Sequence, residues 1–145
     1  MRRFLPIVIF LFLIMSLVAS FSLKKPQVED RFKNYKIINY KVQTNPSTQL
    51  RTSYKLLVAD TSEKWELGLM NISKLQGVDG MIFIFPKREY KTFWNKNTRM
   101  DLDVYWIDGE NVVGKSFLPS IKKSGEIFTV NSPQEVDKVV ELPID

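Results

Sequence analysis

The sequence predicts a mainly β protein of the α+β class, with antiparallel strands and one short helix after the second strand. Short apolar runs rich in aromatic and β-branched residues alternate with segments of turn-forming residues. Only residues 60–72 have the spacing of a helical face. Because the connections between the runs are short, the strands are expected to pair in antiparallel fashion.

Three segments are expected along the chain of 145 residues. Residues 1–20 are a signal peptide or an N-terminal anchor, residues 21–50 are a basic linker with a possible first strand, and residues 51–145 are a single mainly β domain. The first segment has a positive start and an apolar run, which is shorter than the roughly 20 residues of a membrane-spanning helix. The domain is therefore expected to be extracytoplasmic: secreted, periplasmic, or anchored to the cytoplasmic membrane and facing out.

The composition restricts the chemistry that the protein can perform. Neither cysteine nor histidine occurs in the sequence, so disulfides, thiol nucleophiles, histidine bases and the usual transition-metal ligands are excluded. We therefore expect no metal and no cofactor, and any catalysis would depend on carboxylates, lysine, tyrosine or hydroxyl groups. The formal net charge is +5, but no known nucleic-acid-binding motif occurs, so nucleic acid is not an expected partner.

The first part of the domain is expected to contain two strands joined through a helix. Residues 54–59 form a strand by their composition, and Asp60 or Thr61 caps the helix that follows. Gly68 lies on the apolar face of this helix, where it is tolerable if the helix ends there or if another segment packs against its bare backbone. Residues 81–85 are apolar on both faces, which predicts a central strand.

The second part of the domain is expected to be built from strands and turns. Residues 86–89 are predicted to be an exposed loop, and Asp108 with Gly109 predicts a hairpin turn of type I′. Three further strands are expected, at residues 112–118, 126–130 and 136–142.

Residues 92–103 combine aromatic, basic, amide and acidic side chains between two apolar runs. They are expected to form a strand, a turn at residues 97–101 and a second strand, so that Lys96 and Asp103 can meet across a hairpin. One interpretation is an ion pair that only fixes the turn. The other is a recognition pocket in which Trp94 is a stacking wall. The polar contacts of that pocket would come from Lys96, Asn97, Thr98 and Asp103.

The order and spacing of several motifs resemble those of the family called domain of unknown function 192. The motifs are VADTSE (58–63), GLM (68–70), GMIFIF (80–85), FWNKNT (93–98) and LD (102–103). The resemblance covers about residues 53–142 and implies a compact, mainly antiparallel, partly barrel-like β fold with little helix. It implies small, often exported proteins without an established activity. Because Asp60 and Thr61 belong to the same set of motifs, they join the candidate ligand-binding residues.

Three departures from the family pattern affect the expected site. Asn95 stands where methionine is usual, and Asp101 stands where a proline commonly precedes Leu-Asp. The sequence stops at Asp145, whereas the family tends to continue with a glycine-containing segment. A site built partly from that segment is expected to be altered in this chain.

Three functions follow as hypotheses. The first is an exported or membrane-anchored cell-envelope protein that binds a ligand or partner without catalysis, such as an envelope saccharide, a peptide or a protein. The alternative is a carboxylate-dependent hydrolase that acts on an envelope saccharide or peptide, and a second alternative is a purely structural envelope domain. Saturable binding without turnover, turnover that depends on one carboxylate, and loss of a partner contact would distinguish the three.

Export is the first testable prediction, because Arg2 and Arg3 precede the apolar run of residues 4–19. Cell fractionation should recover the protein outside the cytoplasm, and sequencing of its N-terminus should find either cleavage after Ser20 or a full-length chain in the membrane. Recovery of the full-length chain from the cytoplasm would contradict the prediction.

Overall fold

The computed structural model describes residues 30–43 and 52–144. After a 3₁₀ turn at Asp30–Phe32, the elements are β1 (Ile37–Val42), β2 (Thr52–Ala59), α1 (Ser62–Leu67), β3 (Gly80–Glu89), β4 (Thr92–Trp94), β5 (Leu102–Asp108), β6 (Asn111–Leu118), α2 (Ile121–Ser124), β7 (Thr129–Asn131) and β8 (Val136–Pro143). None of the helices in these two ranges is long and apolar enough to span a membrane. The expected signal peptide or anchor lies outside the described residues.

Six of these strands form one mixed sheet in the order β1-β2-β3-β8-β5-β6, and β4 pairs separately with β7. The mainly β class with a short helix after the second strand is confirmed. As far as the structure describes the chain, the sheet is not closed into a barrel. The expectation of antiparallel pairing is wrong for β2 and β3, which are parallel, because α1 and residues 68–79 return the chain to the same end of the sheet.

β3 is a central strand that is buried on both faces, as predicted. Met81 and Phe83 lie on one face, which we call the helix-side face because the side chain of Trp65 packs there. Ile82 lies on the opposite face, which we call the far face. A Cβ atom at Gly80 would come within 2.2 Å of the backbone oxygen of Glu141, so only glycine lets β3 begin this close to β8.

α1 is short because its sequence carries a cap at each end. The side chain of Thr61 accepts a hydrogen bond from the Lys64 backbone N–H, so Thr61 and not Asp60 is the N-cap. Gly68 ends the helix with a φ of 44°, and a Cβ atom there would be 3.4 Å from the ring of Phe83. Both conditions expected for this glycine are met, and the indole N–H of Trp65 donates to the Ala59 carbonyl oxygen at 2.9 Å.

The far face carries its own apolar cluster, to which the described strands of the large sheet contribute. Its most buried members include Leu56, Ile82, Val140 and Ile107, which come from β2, β3, β8 and β5. Side chains of β1 and β6 pack against the same cluster. Because side chains from both edges and from the centre of one sheet meet in one cluster, we infer that the sheet curves around it.

Three elements differ locally from the predictions. Residues 86–89 are exposed, but they continue β3 after an irregularity in its pairing with β8. The hairpin after β5 is confirmed, although its two loop residues are Gly109 and Glu110, and Gly109 alone of this pair has a positive φ, so the turn is not of type I′. The strand expected at residues 126–130 is shifted and shortened to β7, which pairs with β4.

The double burial of β3 generates the second prediction. Phe83 is 1% exposed and packs edge-on against Phe93, so Phe83→Ala should lower the free energy of unfolding by about 3–5 kcal/mol. Phe117 is 45% exposed and provides the matched control, for which we expect a loss below about 1 kcal/mol. Urea denaturation measures both values, and an unchanged midpoint for Phe83→Ala would contradict the assignment of β3.

Candidate functional site

Residues 92–103 do not form the expected hairpin. β4 pairs with β7, so that Trp94 lies opposite Thr129, whereas β5 pairs with β6 and β8. The expected contact between Lys96 and Asp103 is therefore wrong. The turn between β4 and β5 is held instead by α2 and by the segment that precedes β7.

Asn95 is the residue that holds this turn. Its side chain is fully buried, and its Nδ2 atom donates to the Pro119 carbonyl oxygen at 2.9 Å and to Ser124 Oγ at 2.8 Å. Its Oδ1 atom accepts from the Phe128 backbone N–H at 2.7 Å. A methionine, the usual residue here in the family that the sequence resembles, has neither the amide donors nor the carbonyl acceptor for these bonds. Asn95 therefore joins the turn after β4 to α2 and to the segment before β7 through buried hydrogen bonds.

Trp94 and Lys96 form the exposed part of the candidate site. The Trp94 side chain is 45% exposed, and Lys96 Nζ lies 5.0 Å from the centroid of its ring. This distance is within the range of a cation–π interaction. Lys96, which was expected to pair with Asp103, therefore contacts the Trp94 indole instead.

Asn97 and Thr98 connect the turn to its neighbours. Asn97 has a φ of 56°, in the left-handed region that asparagine tolerates, and its carbonyl oxygen accepts from the Asn71 N–H at 2.8 Å. Thr98 is buried, and its carbonyl oxygen accepts from the Ile121 N–H of α2 at 2.9 Å. These bonds fix the backbone on both sides of Asn97.

The remaining candidate residues lie elsewhere. Asp103 is on the far face, where its Oδ2 atom is 2.7 Å from Lys115 Nζ, and this hydrogen bond raises the pKa of Lys115. At the start of α1, Asp60 Oδ1 lies 2.6 Å from Lys64 Nζ, and the hydrogen bond from Lys64 lowers the pKa of Asp60. Thr61 is occupied as the helix cap. The seven candidates therefore do not line one common surface.

A small cavity on the helix-side face, which we call the notch, does bring Trp94 and Thr98 together. Its volume is about 30 Å³. Its walls come from residues 65–70, Phe83, Phe93, Trp94, Thr98 and Glu141. Strand alternation places the side chain of Glu141 on the same face as Val139, so it enters the helix-side core. The notch therefore has a buried carboxyl group among aromatic rings.

Glu141 is the most perturbed titratable group that the structure describes. The residue is 4% exposed, and within residues 30–43 and 52–144 its carboxyl group has no hydrogen bond or ion pair. Burial raises the pKa of Glu141 to about 8, because the charged form is poorly solvated there. The side chain is therefore mostly protonated at neutral pH.

A larger, open cavity, which we call the cleft, shares no lining residue with the notch. Its volume is about 820 Å³. Its walls come from residues 73–75, 78–79, 99–101, Ser120, 122–123 and 143–144. Residues 99–101 belong to the polar stretch that the sequence singled out, so the two halves of that stretch border two different cavities.

Asp101 organises one wall of the cleft. Its two carboxylate oxygens accept hydrogen bonds from the Ser120 backbone N–H at 2.8 Å and from Lys123 Nζ at 2.7 Å. These bonds, with that from Lys123 the stronger, lower the pKa of Asp101. The aspartate thus ties the start of α2 to the loop before β5, which the proline common in the family cannot do.

The sequence did not lead us to Glu141 in the notch or to most of the residues that line the cleft. Glu141 had a signal, since it is a lone acid in the apolar run of residues 139–142, and acids are almost never fully buried without a partner. The lysines of the cleft, Lys74, Lys122 and Lys123, had no signal, because they come from separate loops that only the fold brings together.

Comparisons with known proteins bear on family and fold. A model of the DUF192 family, described as "Uncharacterized ACR", matches residues 42–145. No curated protein matches the chain. A crystal structure of a protein of unknown function from Novosphingobium aromaticivorans DSM 12444 has a TM-score of 0.66 and 23% identity, over 83% of this chain and 82% of that chain.

A second crystal structure has a similar likeness. It is a protein proposed to be a transcription regulator, from Sinorhizobium meliloti 1021, with a TM-score of 0.62 and 23% identity, over 75% of this chain and 81% of that chain. At this level of identity, both likenesses bear on the fold alone.

The raised pKa of Glu141 generates the third prediction. Between its ordinary value of 4.5 and about 8, the unfolded chain loses a proton that the folded chain keeps, so stability falls as the pH rises. The free energy of unfolding should decrease by roughly 4–5 kcal/mol across this window and level off above it. The lowered pKa values of Asp60, Glu89 and Asp101 act below this window.

Urea denaturation from pH 4.5 to 9 measures the slope. Glu141→Gln should remove it, because an amide does not titrate, whereas the control Glu66→Gln at the rim of the notch should retain it. A wild-type stability that is flat or rising between pH 5 and 8 would contradict a neutral, buried Glu141.

Proposed function

The chain belongs to the DUF192 family, which has no assigned activity, and from its cavities we propose that it is a non-catalytic binding module. The proposed ligand is an anionic group of a cell-envelope saccharide or peptide, held in the cleft. We further propose that the protein is exported or membrane-anchored, on the basis of residues 1–20. The observation that carries the binding proposal is the charge of the cleft.

The cleft has more positive than negative side chains. Four cations line it, namely Lys74, Arg99, Lys122 and Lys123. Its two carboxylates are already engaged: Asp101 with Lys123 and Ser120, and Asp79 with the Lys55 backbone N–H at 2.7 Å. Of the cations, Lys74, Arg99 and Lys122 have no ion pair with any residue that the structure describes. An anionic ligand would therefore meet cations whose charge is not neutralised.

Apolar side chains alternate with these cations. Leu75, Val78, Met100 and Pro143 contribute to the walls. A cavity with apolar walls and a few convergent charged groups is typical of sites for small ligands or chain ends. Its volume of about 820 Å³ lies within the range of sites that hold small ligands.

The hydrolase alternative has weaker support. Acid–base catalysis by two carboxylates needs one carboxyl group with a raised pKa beside the scissile bond. In the cleft, the pKa of Asp101 is lowered, so it would remain ionised. The carboxyl group with a raised pKa is Glu141, which lies in the notch of about 30 Å³, too small for a sugar ring. A purely structural domain would not need a cleft of this size with unpaired cations.

Ligand titration of the full-length chain tests the proposal and gives the fourth prediction. A short peptide with a free C-terminal carboxylate and an acidic oligosaccharide should bind, and the peptide amide should bind at least about tenfold more weakly. Lys122→Ala and Arg99→Ala should each weaken binding about tenfold or more, because each removes a charge-assisted contact. Higher salt should weaken binding as well.

Lys87→Ala is the matched control, since Lys87 is exposed in β3 and does not line the cleft. Equal affinity for the peptide acid and the amide, or full affinity in both cleft variants, would overturn the proposal. If a single-stranded oligonucleotide binds more tightly than both anionic probes, the ligand of the cleft is a nucleic acid and not an envelope saccharide or peptide. Turnover of either probe would favour the hydrolase.

A further inference from the structure

We propose that the notch is a second binding site, which accepts a primary alkylammonium group, such as a lysine side chain or the amino end of a peptide. The observation that carries this inference is geometric: a buried carboxyl group without a protein partner closes a small cavity walled by aromatic rings. This site is separate from the cleft, and the inference does not depend on what the cleft binds.

The charge of the notch selects for cations. No lysine or arginine is among the described residues that line it, whereas two acids, Glu66 and Glu141, do. Four aromatic side chains also contribute: Trp65, Phe83, Phe93 and Trp94. Aromatic faces attract ammonium groups and do not attract carboxylates. The notch and the cleft therefore favour groups of opposite charge.

A ligand that enters the notch can supply the hydrogen-bond partner that Glu141 lacks among the described residues. The carboxyl group of Glu141 borders the notch and receives no hydrogen bond from a described residue, and a polar group with so little access to water usually has a partner. A single water molecule needs a cavity of about 10–15 Å³, and the notch has a volume of about 30 Å³. That space fits an ammonium head with its first methylene group, but it excludes a sugar ring or a nucleobase.

One wall residue of the notch, Trp94, already contacts an ammonium group of the protein itself. Lys96 Nζ lies 5.0 Å from the centroid of the exposed Trp94 ring. Lys96 does not line the notch itself, so it competes with an incoming cation at the rim without filling the cavity. The charged groups near Glu141 or its entrance are Glu66 on α1, Lys96 on the turn and Arg31. The Arg31 guanidinium donates to the carbonyl oxygens of Gly68 at 2.8 Å and Met70 at 2.6 Å, so it is already bound to the outside of the notch wall.

Binding has a defined proton balance. The neutral carboxyl group of Glu141 breaks its O–H bond, the proton passes to the solvent, and the carboxylate forms a hydrogen-bonded ion pair with the ammonium N–H. Close to one proton should therefore be released for each ligand bound at pH 7, because burial holds the pKa of Glu141 at about 8 in the empty notch and an adjacent cation lowers it.

Calorimetric titration of the full-length chain with n-butylammonium tests the inference, and is the fifth prediction. Repeating the titration in two buffers of different ionisation enthalpy counts the protons. n-Butylammonium should saturate with release of about one proton, and n-butanol, butyrate and tetramethylammonium should bind at least about tenfold more weakly. Equal binding of n-butanol, absence of saturation, or binding without proton release would overturn the inference.

Variants locate the site. Glu141→Gln should weaken n-butylammonium binding at least about tenfold, whereas Lys122→Ala in the cleft should not change it, which separates this site from the cleft. Lys96→Gln should bind at least as tightly as the wild type, because a competing cation is removed. Loss of binding in Lys96→Gln, or full binding in a folded Glu141→Gln, would contradict the proposal. If Glu141→Gln does not fold, proton release by the wild type decides the question.

Discussion

Two adjacent strands that are buried on both faces impose the main constraint on this fold. β3 and β8 run side by side in the middle of the large sheet, and their apolar side chains point alternately to two clusters. One cluster is covered by α1, β4 and the turns around them, and the sheet curves around the other. Gly80 permits the close approach of the two strands. Most of the notch wall lies on elements that cover the helix-side face of this pair, whereas Phe83 and Glu141 belong to the pair itself.

The elements that cover the helix-side face, β4, β7 and α2, are held in place by polar side chains. They do not form a second sheet of comparable size. β4 and β7 are three-residue strands, too short to define a layer by backbone pairing alone. The buried amide of Asn95 and the carboxylate of Asp101 supply what the short strands do not, since each bonds to α2 or its flanks. The departures from the family pattern at Asn95 and Asp101 are therefore structural: each forms hydrogen bonds that hold the loop before β5 to α2 or its flanks.

Local patterns were sufficient to predict the central strand at residues 81–85, a helix capped at Asp60 or Thr61, and the hairpin around Gly109 but not its turn type. In each case neighbouring residues carry the information, through alternation, capping or turn chemistry. The pairing of β4 with β7 joins residues 92–94 to residues 129–131, and no local signal distinguishes it from a hairpin with β5. The candidate site was predicted in part for the same reason. Trp94 and Thr98 do border a cavity, but its carboxyl group comes from Glu141, far along the chain.

The central position of β8 also affects the order of folding. β8 is the last strand in the described chain, yet it pairs with β3 on one side and with β5 on the other. Before residues 136–143 are synthesised, the large sheet can form only as two fragments, β1-β2-β3 and β5-β6. The strands that would pair with β8, β3 and β5, are then unpaired edges. Sheet assembly therefore waits for the C-terminal region and happens in one late, long-range step, a class of folding that is slow and exposes strand edges. A chain interrupted before Val136 would contain nearly all of the strands and still lack the sheet.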